Sequence, residues 1–206
     1  DPVLEIRHVP LPFLPDEGVA AVAITSANAA HALAGIGTRF PVYAVGAATA
    51  AAARAAGATE IRVADGDGRG LAELVGRTLV PAAGAVLHLA GADVREGLEE
   101  ALAAAGFEYR RAVVYEAVPT PGMAPAAEAA LRAGRLGAAL FYSPRTAALW
   151  ADRVTRLGLA GCLTRAIAAC MSEAVAKPLR QLPFGDLRVA AARDQKALLR
   201  CLEAGW

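Results

Sequence analysis

The sequence predicts an α/β protein of two similar domains with parallel sheets flanked by helices, joined by a two-stranded linker. Short apolar runs alternate with alanine-rich helical segments along the 206 residues, which is typical of parallel sheets with right-handed crossovers. The pattern of a strand, a small polar cap and a helix occurs on both sides of residues 111–119. This stretch is rich in β-branched residues and is stopped by Pro119, Pro121 and Gly122, so it reads as an extended crossover between two halves.

The elements of the first half follow from apolar runs bounded by proline, glycine or small polar residues. A run without alternation, such as residues 19–25, is typical of a strand covered on both faces. The predicted strands are residues 3–9, 19–25, 42–45, 61–63, 85–89 and 107–118. The predicted helices are residues 28–34, 47–56, 71–79 and 94–104, of which two end at Gly57 and Gly106. Residues 65–70 are predicted to be a loop.

The second half repeats the alternation with fewer strands. Its predicted strands are residues 138–142, 167–170 and 187–191, and its predicted helices are residues 125–133, 146–157, 173–179 and 194–203. The unequal halves are explained if residues 11–114 form a first α/β domain inserted into a second one made of residues 1–10 plus 115–206. The chain opens at Asp1 without a methionine. We therefore expect the second domain to lack its opening strand and helix.

Composition excludes several classes of protein. The formal net charge is +1 and no lysine or arginine run is present, so we expect no nucleic-acid partner. The hydrophobic share is 56%, but charged residues interrupt every apolar run before the ~18 residues that a membrane span needs, so no membrane partner is expected. Three cysteines without a CxxC pair suggest reduced thiols in a cytoplasmic protein, and we expect a monomer.

The predicted carboxyl ends of the strands carry the candidate binding residues, because open parallel sheets bind ligands at that edge. The caps there are small, polar or glycine residues that open helices: Ser26, Asn28, Thr49, Gly91, Ser143 and Ser172. Helix starts offer unpaired N–H groups and a partial positive charge to an anionic ligand. The alternative is plain N-capping, which such residues provide in any protein. If the two halves face each other, these loops line one cleft. Tyr115, a polar residue on the crossover, is predicted to face that cleft; the alternative is a tyrosine that only packs within the linker.

Other motifs are weak. Residues 66–70 are rich in glycine but lack the order of a phosphate-binding loop. His8, His31 and His88 have no ligand spacing, so no metal is predicted. Ser26 and Ser143 lack the GxSxG elbow of a serine nucleophile.

Five motifs in order resemble the uroporphyrinogen-III synthases. They are Ile24-Thr25-Ser26-Ala27-Asn28-Ala29, Ala44-Val45-Gly46-Ala47-Ala48-Thr49-Ala50, Val113-Val114-Tyr115-Glu116, Phe141-Tyr142-Ser143-Pro144 and Cys170-Met171-Ser172-Glu173. The similarity runs from about Val3 to near the C-terminus. It departs from some members at Asn28, where others carry arginine, and at Glu173-Ala174, where threonines are found.

The resemblance implies a lyase of heme (porphyrin) biosynthesis. Such an enzyme closes hydroxymethylbilane, a linear tetrapyrrole, to uroporphyrinogen III with inversion of the last ring and loss of water, and it needs no metal or organic cofactor. Tyr115 corresponds to the family's motif tyrosine and is the catalytic candidate. Ser26, Thr49, Ser143 and Ser172 match positions near the cleft, and Arg95, after Gly91, matches a basic position that can meet a substrate carboxylate.

Two other functions stay open. A non-catalytic two-lobed module that binds a small molecule would have the same architecture, although such receptors usually carry export signals and aromatic clamps. An enzyme that uses a nucleotide sugar or NAD would also be α/β, although the glycine fingerprint is missing.

Overall fold

The computed structural model describes residues 1–11, 18–36, 39–94 and 96–203. The chain divides into two compact units. Residues Ile6–Val118 form one, here called the N-terminal unit; Asp1–Glu5 and Pro119–Trp206 form the other, called the C-terminal unit. None of the described helices has the length and apolar character needed to cross a bilayer.

A six-stranded sheet is the basis of the N-terminal unit. Its strands are β1 (Leu4–His8), β2 (Val19–Ile24), β3 (Val42–Val45), β4 (Ile61–Ala64), β5 (Ala85–Gly91) and β6 (Tyr109–Pro119), in the spatial order β1-β6-β5-β2-β3-β4. All pairs from β6 to β4 are parallel. The chain starts this parallel set in the middle, at β2, and proceeds first to one side and then to the other. Strand order therefore reverses between β2 and β5. This reversal is the switch point of the sheet, the position where doubly wound sheets bind ligands.

Strand β1 runs antiparallel to β6. The N–H of Val9 donates to the carbonyl of Val114 at 2.7 Å, and the N–H of Thr120 donates to the carbonyl of Val3 at 3.0 Å. The chain passes between the two units after Glu5 and again after Val118. Both passages lie on these two neighbouring strands, which form the two-stranded linker that the sequence predicts.

Helices cover both faces of the larger sheet. They are α1 (Leu33–Ile36), α2 (Gly46–Ala55), α3 (Gly68–Thr78) and α4 (Leu98–Ala104), with 3₁₀ turns at Ala27–Ala32 and Pro81–Ala83. Alternate strand residues face opposite sides. Val22 packs in a core with α1 and α2, whereas the adjacent Ala23 packs in a second core with α3 and α4. The continuous apolar run of β2 is thus explained by burial on both faces.

Three predicted helices differ from the structure in type or by more than two residues at their start. α3 begins at Gly68, inside the predicted loop, because the carboxylate of Asp67 caps it by accepting from the N–H of Arg69 at 2.9 Å. α4 begins at Leu98, four residues later than expected, since Gly97 has a φ of 115° and cannot continue a helix. The segment predicted as helix 28–34 is mostly a 3₁₀ turn over Ala27–Ala32.

The C-terminal unit contains a smaller parallel sheet. Its strands are β7 (Ala138–Phe141), β8 (Ile167–Cys170) and β9 (Asp186–Val189), in that spatial order. Its helices are α5 (Pro125–Arg132), α6 (Pro144–Arg156), α7 (Glu173–Ala176) and α8 (Gln195–Glu203), with 3₁₀ turns at Ala160–Leu163 and Lys177–Leu179. The ring of Trp150 lies 5.3 Å from that of Phe141 and 5.9 Å from that of Phe184. This aromatic group anchors one apolar core.

Arg153 of α6 ties the ends of the linker strands to the C-terminal unit. Its guanidinium is only 3% exposed. It donates to the carbonyl of Thr120 at 2.8 Å and to the Thr120 hydroxyl at 2.6 Å. It also donates to the Asp1 carboxylate and to the carbonyls of Pro2 and Val3, at 3.3 to 3.4 Å. This one buried cation thus binds acceptor groups just before β1 and just after β6, and so holds the ends of the two strands together where they enter this unit.

Candidate active site

A cleft of about 490 Å³ lies at the carboxyl edge of the larger sheet, within the N-terminal unit. Its described lining comes from the ends of all five parallel strands and from the loops after them: Thr25, Ser26, Val45, Gly66, Asp67, Gly68, His88, Asp93, Val94, Glu96, Leu98 and Tyr115. The reversal between β2 and β5 falls among these residues. The cleft therefore occupies the position where this topology leaves room for a ligand.

Tyr115 lines the cleft because its neighbour on β5 is a glycine. Gly91 is paired with Tyr115 across the sheet. A Cβ added to Gly91 would lie 2.7 Å from Cζ and 2.9 Å from the hydroxyl oxygen of Tyr115, closer than atoms can approach. The phenol ring therefore lies directly over Gly91, in space that any other residue at position 91 would fill. These two predicted site residues form one structural feature.

An irregularity in β6 sets the position of Tyr115. Ala90 pairs with Val113, but Gly91 pairs with Tyr115, so β6 advances two residues for one residue of β5. Such a bulge changes the direction of the side chains that follow it. Without the extra residue, Val114 would be paired with Gly91. Instead Val114 is fully buried in the core and Tyr115 reaches the cleft.

Arg111 holds the end of β5 in place. One terminal nitrogen of its guanidinium donates to the carbonyl of Gly91 at 2.7 Å and to that of Ala92 at 2.6 Å. The N–H of Ala92 in turn donates to the carbonyl of Tyr115 at 2.9 Å. The turn after β5 is thus tied to β6 on both sides of the bulge, and a positive charge lies beside the cleft.

His88 is the buried polar residue of the site. It lies within β5, is 2% exposed and lines the cleft. Its Nε2 is 3.1 Å from the hydroxyl oxygen of Thr25, and its Nδ1 is 2.8 Å from that of Tyr109. Both ring nitrogens are therefore satisfied by hydroxyl groups. The imidazole thus links β5 to β6 and to the residue directly after β2. It lies on the side of the sheet that α3 and α4 cover.

The imidazole of His88 is neutral at physiological pH. Burial lowers the pKa of His88 from 6.5 to about 4, and the neighbouring positive charge of Arg111 acts in the same direction. A neutral ring carries one N–H and one acceptor nitrogen. His88 can therefore accept one hydrogen bond and donate the other, but it carries no charge to attract an anion.

Carboxylates give the described lining its charge. Asp67, Asp93 and Glu96 all border the cleft, and no lysine or arginine is among the described residues that line it. Arg95, predicted to contact a substrate carboxylate, lies outside the described residues. Arg111 is a basic group near the cleft that the sequence prediction did not include. The carboxylates favour a positively charged group in the part of the cleft that they line. The cleft is therefore not a uniform binding surface for anions.

The other predicted residues of the N-terminal unit have different surroundings. Ser26 lines the cleft, and its hydroxyl caps the 3₁₀ turn by accepting from the N–H of Asn28 at 3.3 Å. Asn28 is exposed, and its carbonyl is 2.9 Å from Nδ1 of His31. Thr49 is buried within α2, at its fourth residue, as expected for a residue inside the predicted helix 47–56. Neither Asn28 nor Thr49 is among the described lining of the cleft.

Ser143 and Ser172 follow adjacent parallel strands of the C-terminal unit. Ser143 comes two residues after β7, and its hydroxyl caps α6 by accepting from the N–H of Thr146 at 3.1 Å. Ser172 comes two residues after β8 and precedes α7, but its side chain makes no cap bond. Both serines thus lie at the carboxyl edge of the smaller sheet, as predicted for residues that follow parallel strands.

Sequence reasoning missed the two residues that organise the site. The sequence prediction does not include His88 as a site residue, because the three histidines lack metal-ligand spacing. The only available signal was a histidine inside an otherwise apolar run, which indicates a buried and therefore hydrogen-bonded polar group. Arg111 gave no signal, because its partners are backbone carbonyls.

Comparisons with known proteins agree with this architecture. The family model described as uroporphyrinogen-III synthase HemD matches residues 1–200. The uroporphyrinogen-III synthetase of Helicobacter pylori is similar in structure, with a TM-score of 0.65 and 17% identity, over 98% of this chain and 90% of that one. A mutant uroporphyrinogen III synthase of the extremely thermophilic bacterium Thermus thermophilus has a TM-score of 0.51 and 21% identity, over 98% and 86%. A search of curated proteins gives no match.

The fold, with a cleft at the switch point of its larger sheet, defines an α/β protein of two units, which is the fold of the structures named above. The chain belongs to the uroporphyrinogen-III synthase family, which acts in tetrapyrrole biosynthesis.

Proposed function

We propose that this chain cyclises hydroxymethylbilane to uroporphyrinogen III, with inversion of the last pyrrole ring and loss of water. The observation that carries the proposal is the position of Tyr115, which lies over Gly91 in the cleft at the switch point. Membership of the family supplies the reaction class, that of a lyase. Tyr115 is thus both the tyrosine of the sequence motif and a residue that lines the cleft.

The chemistry that the site has to perform is the departure of a hydroxyl group followed by ring closure. The leaving oxygen takes a proton from the Tyr115 hydroxyl, or from a substrate carboxyl, and the C–O bond breaks to release water. The pyrrole that remains is a delocalised cation. The carboxylates of Asp67, Asp93 and Glu96 favour this positive charge in the part of the cleft that they line.

Geometry decides which isomer forms. The new C–C bond must join the cation to the substituted carbon of the last ring, giving a spiro intermediate, and not to its free carbon. Holding the two ends of the chain in that arrangement is a task for positioning groups. Of the predicted contacts of the substrate, Asn28 and the buried Thr49 are not in the described lining of the cleft, and Arg95, Ser143 and Ser172 stay predictions. We assign the task to Ser26, which lines the cleft, and to Gly91 beside Tyr115. Their amide and hydroxyl donors suit a substrate rich in carboxylates.

The decisive experiment adds hydroxymethylbilane and separates the uroporphyrinogen isomers that form. The expected result is isomer III, because closure without guidance joins the chain head to tail and gives isomer I. Isomer I at the rate of the enzyme-free reaction would contradict the proposal. Tight binding without acceleration would instead favour the alternative function, a non-catalytic module that binds a small molecule.

Several expectations of the sequence stay predictions beside this proposal. They are the domain boundaries at residues 11–114 and at 1–10 plus 115–206, the cytoplasmic location, the monomeric state, and the absence of a cofactor, a metal and a nucleic-acid partner.

A further inference from the structure

We propose that His88 is a positioning residue that turns the hydroxyl proton of Thr25 into the cleft, where it donates to a carboxylate of the substrate. The proposal rests on the function proposed above for its substrate. It starts from the chain of hydrogen bonds Tyr109–His88–Thr25, in which His88 and Thr25 line the cleft and Tyr109 lies on the neighbouring strand β6.

The direction of these hydrogen bonds follows from the acidity of the two hydroxyl groups. Burial raises the pKa of Tyr109 above that of an ordinary phenol, but a phenol is still a far more acidic donor than an aliphatic alcohol. Tyr109 therefore donates to Nδ1 of His88, at 2.8 Å. A neutral imidazole that accepts at Nδ1 carries its proton on Nε2. That N–H then donates to the hydroxyl oxygen of Thr25, at 3.1 Å.

The consequence lies at Thr25. Its hydroxyl oxygen accepts from His88, so its own proton remains available to a further acceptor. Thr25 is half-buried at the end of β2, on the rim of the cleft and next to the switch point. A carboxylate is an acceptor with no proton of its own, and it gains most from such a pre-oriented donor. In the opposite tautomer, Nε2 of His88 would accept the Thr25 proton, and the Thr25 hydroxyl would have only its acceptor oxygen to offer a substrate.

The chain offers a set of variants that separates this role from a structural one. Thr25→Val removes the hydroxyl and keeps the shape, and His88→Met removes the donor to Thr25. Each is expected to raise KM for hydroxymethylbilane about tenfold to hundredfold, the loss typical of one hydrogen bond to a charged group, with a smaller change in kcat. His88→Gln retains an amide donor, and we expect it to keep KM within about threefold of wild type. Thr155→Val, an exposed threonine of α6 that donates only to the carbonyl of Ala151, is the matched control.

The double variant Thr25→Val with His88→Met gives the sharpest kinetic result. If His88 acts through Thr25, the two losses do not add, and the double variant resembles the worse single one. Additive losses, or an unchanged KM in Thr25→Val beside an active wild type, would overturn the proposal. A wild type that gives no isomer III would instead contradict the proposed function.

A spectroscopic measurement tests the tautomer without any activity. In protein labelled with ¹⁵N-histidine, protonated and unprotonated ring nitrogens of His88 have distinct resonances, and His88→Gln assigns them. A proton on Nε2 is expected. A proton on Nδ1 would overturn the proposal whatever the kinetics show, because Thr25 would then have to donate to the imidazole. The tautomer is read in the wild-type protein, so this result holds even if the kinetic variants fail to fold.

Discussion

At the scale of single residues, Tyr115 reaches the cleft through two features of its neighbours. Gly91 leaves room for the ring, and the bulge in β6 places Val114 within the core and Tyr115 half-buried against it, at the cleft. Neither feature contributes chemistry, yet both decide which side chain is presented to a substrate. The position of Tyr115 therefore depends on the backbone of two strands.

Tyr115→Phe removes only the hydroxyl and should lower turnover by no more than the ~10²- to 10⁴-fold typical of general acid–base groups. The measurement is the rate of isomer III formation at saturating hydroxymethylbilane. Tyr43→Phe is the matched control. Its hydroxyl is 2.7 Å from that of Thr78 and accepts from Arg62 at 2.8 Å, outside the described lining of the cleft, so its loss should cost about 2–4 kcal/mol of stability and leave turnover unchanged. Wild-type turnover by Tyr115→Phe would make Tyr115 a packing residue.

Gly91→Ala should have an effect similar to that of Tyr115→Phe, although it changes no catalytic atom. The added Cβ would lie 2.7 Å from the Tyr115 ring, so the ring must move. We expect turnover to fall at least tenfold, as a displacement of about 1 Å can cost ~10²-fold. Gly76→Ala is the control, because its Cβ would meet no atom within 4 Å and it lies inside α3. It should raise stability by about 0.5–1 kcal/mol and leave turnover unchanged.

At the scale of elements, the start of α3 joins stability to the cleft. Asp67 caps the helix by accepting from the N–H groups of Arg69 and Gly70, and it also lines the cleft. Its negative charge lies at the positive end of the helix dipole, an attraction that adds to the cap. One side chain thus serves the local fold and the charge of the site.

Asp67→Ala should lower the free energy of unfolding by about 0.5–2 kcal/mol, the usual cost of a lost cap. Asp67→Asn keeps the capping oxygen and should retain most of this stability. If the carboxylate also favours the cationic intermediate, Asp67→Asn should still lower kcat. Urea unfolding and turnover, measured on the same two variants, separate these roles. Equal stability of Asp67→Ala and wild type would show that the cap contributes nothing.

At the scale of the whole molecule, the titration of His88 couples stability to pH. Its pKa is lowered to about 4 in the folded protein, against about 6.5 in an unfolded chain. Between these values the unfolded chain binds a proton that the folded protein does not, so acid favours unfolding. The stability due to the neutral ring is fully present above pH 6.5. It is lost as the pH falls towards 4, by up to about 3 kcal/mol.

Urea denaturation of wild type and His88→Gln at several pH values between 4 and 7 checks this linkage. Wild type should lose stability more steeply than His88→Gln over that range, because the variant has no group to protonate at this position. All other ionisable groups are the same in both proteins, so their contributions to the pH dependence of stability cancel in the comparison. Parallel profiles would mean that the pKa of His88 is the same in the folded and unfolded states, which would contradict the lowered value.

The sequence by itself determined the architecture, because hydrophobic burial on two faces of a parallel sheet produces a repeated pattern of runs and caps. It also singled out Tyr115, whose motif lies within the crossover strand. Helix starts were less accurate: the cap at Asp67 and the positive φ of Gly97 depend on side-chain geometry that residue types alone do not specify.

Only the tertiary structure decided how the site is built. The contacts of His88 with Thr25 and Tyr109 span 63 and 21 residues of chain, and Arg111 binds carbonyl groups that every residue possesses. The bulge in β6 depends on the register between two strands, which no local pattern encodes. Burial in that framework, and not the histidine itself, makes the ring neutral, because the cost of desolvating a charge depends on everything around it.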